Sequence, residues 1–100
     1  MYVILTSKPG KFRTEQGEGL RPVEAWDYLL CGNRRAHFVI AELAGATHVT
    51  VVDETPPCVV NRLPAKFLEK FATLELARRE LEQLAKGGSD FRIERCALAA

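Results

Sequence analysis

From Pro64 onward the apolar residues change period. Phe67, Phe71, Leu74, Ala77, Leu81 and Leu84 recur at spacings of three and four, the signature of a helix that buries one face. Pro64 fits the first turn of such a helix, and Gly87-Gly88 fits its end. A break near Ala72-Thr73 would let Thr73 cap a second helix opening at Leu74-Glu75. Glu75 with Arg79, and Glu82 with Lys86, stand in the favourable i, i+4 order, worth a few tenths of a kcal/mol each. Upstream of Pro64 the apolar runs are short and rich in β-formers. This one stretch therefore sets the class: an antiparallel sheet that a helix must cover.

Tyr2-Val-Ile-Leu-Thr6 is dense in β-formers and stops at Lys8-Pro9-Gly10, which predicts a strand followed by a turn. Residues 7–20 are rich in glycine and charge, with Phe12 and Leu20 as the large apolar anchors. They read as a long loop, a place where function often resides. Residues 22–31 support two readings. As a helix, Pro22 and Glu24 suit the first turn, Val23, Trp26, Leu29 and Leu30 share a face, and Gly32 supplies the stop. As a strand, the segment folds back through Gly32-Asn33 onto Arg35–Leu43, with Trp26 facing Val39 and Tyr28 facing His37. The apolar spacing favours the helix; the glycine-asparagine pair keeps the hairpin open.

Ala36–Leu43 predicts a strand, Ala44-Gly45-Ala46 a turn, and Thr47–Asp53 the returning strand. With the turn centred on Gly45, Glu42 lies opposite His48, and His37 lies opposite Asp53. Pro56-Pro57 ends that hairpin, and Phe91–Leu98 alternates apolar and charged residues as a strand with one wet face. The resulting order is βαββαβ, the plan of ferredoxin-like α+β domains with helices on one side of an antiparallel sheet. With 22–43 as a hairpin, the alternative is a larger antiparallel sheet crossed by one long C-terminal helix. At 100 residues without repeat or linker, the chain is expected to be a single domain spanning 1–100. The Lys8-Pro-Gly-Lys-Phe12 turn after the first strand resembles that of small dimeric α+β-barrel proteins. Those proteins begin a helix soon after the turn, where glycine and charge intervene here, so no residue role is carried over.

The opening MYVILTSKPGKF has no basic residue ahead of its short apolar run, which is not the pattern of a secretory signal. No apolar run approaches the ~20 residues that cross a bilayer. Three widely spaced cysteines, Cys31, Cys58 and Cys96, then point to reduced thiols and a cytoplasmic protein. A formal charge of +1 supplies no field toward nucleic acid or anionic lipid.

Metal chemistry finds little support in the spacing. There is no Cys-x-x-Cys and no His-x-x-x-His, whereas structural zinc sites bring ligands in close pairs. No metal and no cofactor are expected, and the cysteines read as small hydrophobes. Phosphate cradles also fail: Gly17-Glu-Gly19 lacks a third glycine, and Lys8–Lys11 lacks the spacing of a phosphate loop. His37 is the weak catalytic candidate, a base oriented by Asp53.

The central hairpin carries Phe38, Ile40 and Val52 on one face, and Val39, Val49 and Val51 on the other. Helices on one side leave the second apolar face open, and such faces meet partners. The expected function is a small non-catalytic binding or accessory subunit that self-associates or docks on a protein through that face. Trp26, Tyr28, Arg34, Arg35 and His37 surround the predicted Gly32-Asn33 turn and are the expected contacts, since Trp, Tyr and Arg dominate interface hot spots. Two alternatives stand beside this reading. One is a small dimeric enzyme whose sheet-face pocket takes a hydrophobic small molecule, with His37 as base. The other is an RNA-binding module, against which the low charge and the missing aromatic stripe argue.

Overall fold

The computed structural model describes residues 1–15, 17–84 and 91–96. Among these, the strands are β1 (Tyr2–Ser7), β2 (Phe12–Glu15), β3 (Leu20–Leu30), β4 (Asn33–Leu43), β5 (His48–Asp53), β6 (Val60–Pro64) and β7 (Phe91–Cys96). A 3₁₀ turn at Ala65–Phe67 and the helix α1 (Leu74–Leu84) lie between β6 and β7. The strands form two antiparallel sheets, in the orders β1-β4-β3-β7 and β2-β5-β6. The ferredoxin-like βαββαβ plan is therefore overturned. The single enlarged sheet gives way to two, and the one helix among the described residues is short. The predicted helix stop at Gly87-Gly88, Lys86, and Ala97-Leu98 of the last strand lie outside the described residues.

Residues 22–30 are strand, because β4 pairs along one edge and β7 pairs Ala25–Leu30 along the other. Asp27 sits between His37 of β4 and Glu94 of β7, and Tyr28 sits between Ala36 and Ile93. A central strand is decided by cross-strand neighbours more than by local propensity. Pro22 is accommodated beside a bulge, where Val23 is the extra residue between Pro22↔Ala41 and Glu24↔Ile40. The hairpin closes at Cys31-Gly32, with φ of 51° and 80°, and Leu30 pairs directly with Asn33. Two left-handed central residues are what a tight hairpin turn of matching twist needs.

The 36–53 hairpin does not form. β4 pairs with β1 and β3, while β5 pairs with β2 and β6, so Ala44–Thr47 carries the chain from one sheet to the other. The partner for β5 comes from the stretch that reads as loop. Pro9-Gly10 makes the turn, with Gly10 at φ 79° and the Lys11 amide donating to the Lys8 carbonyl at 2.9 Å. Phe12–Glu15 then runs along β5, with Phe12 opposite Asp53. Gly17, just beyond, is a true close approach: a Cβ there would overlap the His48 carbonyl oxygen. Gly17→Ala is expected to lower stability by about 1–3 kcal/mol as an overpacked site. Gly45→Ala, where a Cβ meets nothing within 4 Å, should leave the urea midpoint unchanged or slightly raised. Equal midpoints for the two variants would remove the steric account.

The helical pattern from Pro64 splits at the predicted break. The Thr73 hydroxyl accepts from the Leu76 amide at 3.2 Å, capping α1. Phe67, which the helical spacing places on the buried face, is instead exposed, because Ala65–Phe67 forms only a 3₁₀ turn. α1 lays Ala77 and Leu81 on Ala36, Phe38 and Ile40 of β4. On the opposite face of the same sheet, Val3, Leu5, Leu20 and Ala41 meet Val49 of β5, with Leu68 alongside. Both apolar faces of β4 are thus covered, one by α1 and the other by contacts with the second sheet. The open sheet face expected as a docking surface does not exist in this region.

Candidate functional site

The turn at Cys31-Gly32 implies a simple register in which Asp27 would oppose Ala36. A second bulge changes that: Leu29 pairs with Arg34 but Tyr28 with Ala36, leaving Arg35 as the extra residue. Bulges re-aim side chains, and this one sets Asp27 opposite His37. Asp27 Oδ1 lies 2.8 Å from His37 Nδ1 and 3.8 Å from an Arg34 guanidinium nitrogen. Cys96, on β7 across the other edge of β3, brings its Sγ to 3.9 Å from the same His37 Nδ1. Three adjacent strands thereby gather a carboxylate, an imidazole and a thiol, each half-buried. Burial pushes the Cys96 thiol up, the Asp27 charge adds to this, and Arg34 opposes it. A cavity of about 300 Å³ opens beside His37 and Arg34, with Ser7, Arg13 and Glu54 also on its wall.

The carboxylate that holds His37 is therefore Asp27, not Asp53. Asp53 sits in the other sheet opposite Phe12, and its amide donates to the Val59 carbonyl. As a nucleophilic relay the cluster is misarranged. A catalytic thiol and its orienting carboxylate belong on different nitrogens of the imidazole, whereas here both approach Nδ1. A thiol held above its ordinary value is also a poor nucleophile near neutral pH.

The five expected contact residues are divided by the sheet. Trp26 and Tyr28 pack on the cluster beneath α1, and Arg35 lines a separate cavity there with Tyr28. Arg34 and His37 lie on the opposite face, beside the smaller cavity. Trp26 also donates its indole N–H to Glu24 at 3.2 Å. Glu24 is a buried carboxylate, only 2% exposed. Arg78 of α1 grips it, with Nε 2.9 Å from both oxygens and Nη2 on Oε1, while Arg95 stands at 3.6 Å. The hydrogen bond from Arg78 holds the Glu24 carboxyl below its ordinary value, against the opposing push of burial.

Sequence reasoning missed Asp27 and Cys96 as neighbours of His37, the buried Glu24 with its half-exposed partner Arg78, and a surface at β6. That strand lies at the edge of its sheet, with Val59, Val60 and Leu63 exposed and Phe67 exposed just beyond. Val60 and Phe67 show 62% and 74% of their surface. Isolated apolar residues on a surface are ordinary, but a run of them on a sheet edge is a pairing hazard unless it is used. Among the described residues no helix is long and apolar enough to cross a membrane. Compared with known proteins, the chain matches no family model, no curated protein and no solved structure.

Proposed function

We propose that this chain is a small binding protein without catalytic chemistry of its own, which engages a protein partner by strand addition at the β6 edge. The exposed apolar run Val59, Val60, Leu63 and Phe67 carries this reading. An edge strand offers unpaired backbone groups to an incoming strand, and alternate side chains supply specificity. The charges along 60–70 are Arg62, Lys66 and Lys70 against Glu69, so the favoured partner is an extended, apolar segment with acidic residues. Trp26 and Tyr28 take no part in this surface, since they belong to the other sheet and pack with the α1 layer. RNA binding loses its stacking platform for a similar reason: Phe38 is buried beneath α1.

The test is a comparison of the wild-type chain with the double variant Val60→Lys, Phe67→Ser. Both replace exposed residues, so far-UV circular dichroism and the melting temperature should stay unchanged. A protein captured stoichiometrically from the native host by wild type should be lost from the variant. Retention of that protein by the variant, or a wild-type chain that elutes alone as a monomer, overturns the proposal. A dimer that dissolves in the variant would make the partner a second copy of this chain.

A further inference from the structure

We propose that Asp27, His37 and Cys96 form a binding site for one divalent transition-metal ion of the zinc class. β4, β3 and β7 are neighbours in one sheet, and each presents one ligand atom. Asp27 Oδ1, His37 Nδ1 and Cys96 Sγ all lie within 4.8 Å of one another. The convergence on a single imidazole nitrogen, which defeats a catalytic relay, is what an ion bound to that nitrogen requires. A tetrahedral ion with bonds of about 2.0–2.3 Å places its ligand atoms roughly 3.3–3.6 Å apart. The observed 2.8 Å for Asp27–His37 and 3.9 Å for Cys96–His37 straddle that spacing. Side-chain adjustments of about half an ångström would bring these two distances into range, and the Asp27–Cys96 separation, within 4.8 Å, must close to match.

The donor set selects the metal. A thiolate with an imidazole suits zinc, cobalt or ferrous iron, whereas calcium and magnesium take oxygen ligands. Placement on strands rather than loops gives the site a fixed frame. Of the three ligands His37 also lines the neighbouring cavity, and solvent water would complete the coordination. Arg34, 3.8 Å from Asp27 Oδ1, is the cation that the metal must outcompete. On binding, the Cys96 sulfur exchanges its proton for the metal and the proton leaves to solvent. The ligands come from positions 27, 37 and 96, a separation that no local spacing pattern displays.

The test titrates Co²⁺ into the full reduced, metal-free chain and follows its absorption spectrum. Saturation at one equivalent is expected, with a thiolate-to-cobalt charge-transfer band that Zn²⁺ displaces. Cys96→Ser should abolish that band. His37→Ala and Asp27→Asn should each weaken binding by about 100-fold or more, beyond the 10–100-fold typical of outer-shell changes. The double variant Cys31→Ser, Cys58→Ser should bind as wild type does, since both of those thiols are exposed and outside the cluster. A wild-type chain without the charge-transfer band overturns the site, as does a band that survives Cys96→Ser. Circular dichroism on each variant keeps loss of fold distinct from loss of ligand; His37→Ala or Asp27→Asn, if folded and of unchanged affinity, also overturns it.

Discussion

Replacing Arg78 with Met should make this protein markedly less stable at pH 7, and the deficit should vanish in acid. Methionine retains the apolar stem that an arginine lays along a surface, so the change chiefly removes the guanidinium. The consequence falls on Glu24, which is 2% exposed and takes its main hydrogen bonds from that group. Glu24 is buried, but the Arg78 side chain is 41% exposed, so solvent screens the pair and the loss falls short of that for a pair buried on both sides. Arg95 at 3.6 Å and the Trp26 indole still face the carboxylate, which reduces the expected loss further. The pH dependence distinguishes charge from packing. In the wild type the folded chain binds the Glu24 proton less readily than the unfolded chain does, because Arg78 holds the carboxyl below its ordinary 4.5. The stabilisation is therefore complete above that value and drains away as pH falls through the folded-state value. Urea titrations of both proteins should show a gap at neutral pH that closes as the pH falls below 4.5 and the Glu24 carboxylate takes up its proton. A gap of constant width would mean that Arg78 acts through packing alone.

The same pair ties two elements that sequence reading treats separately. Glu24 belongs to a segment whose apolar spacing favours a helix while its Gly32-Asn33 pair keeps a hairpin open. Val23, Trp26, Leu29 and Leu30 satisfy a period of 3.6, yet the outcome is set by β4 and β7 lying on either side. Such pairing is long-range, and one sequence does not display it. The helix was legible where its signals were local: Thr73 caps it, and Ala77 with Leu81 forms its buried face. Its N-terminal extension was not, because Phe67 keeps the helical spacing while the backbone there is a 3₁₀ turn. Ala44-Gly45-Ala46 has the composition of a hairpin turn but serves as a crossing between sheets, since Phe12–Glu15 takes the place beside β5.

The candidate site follows the same division. His37 was visible as a residue of interest, and the need for a carboxylate beside it was sound chemistry. The partner was misassigned because Asp53 is reached only through a 36–53 hairpin that does not form; β4 pairs with β3 instead, and the bulge at Arg35 sets Asp27 opposite His37. Cys96 was beyond reach of any spacing rule, since it enters from the last strand. The expectation of an apolar docking face failed for a reason of coverage: β4 is apolar on both sides because it is buried on both sides. Val59, Val60, Leu63 and Phe67 form the exposed apolar run at the β6 edge, with Met1, Leu76 and Leu84 exposed singly elsewhere.

Leu81→Ala should lose about 2–5 kcal/mol, the range for truncating a fully buried leucine. Leu81 is 0% exposed and sits with Ala77 against Ala36, Phe38 and Ile40. A helix of 11 residues is marginal on its own in water, so α1 exists because it is docked. Weakening that dock also loosens the grip of Arg78 on Glu24, which adds to the deficit rather than standing apart from it. Leu84, one turn further along the same helix, supplies the control. It is 51% exposed, so Leu84→Ala should fall within about 0.5 kcal/mol of wild type. Matched urea titrations of the two variants read the difference directly. Two leucines in one helix with equal losses would mean that α1 does not seal this face of the sheet, and the core described beneath it would have to be redrawn.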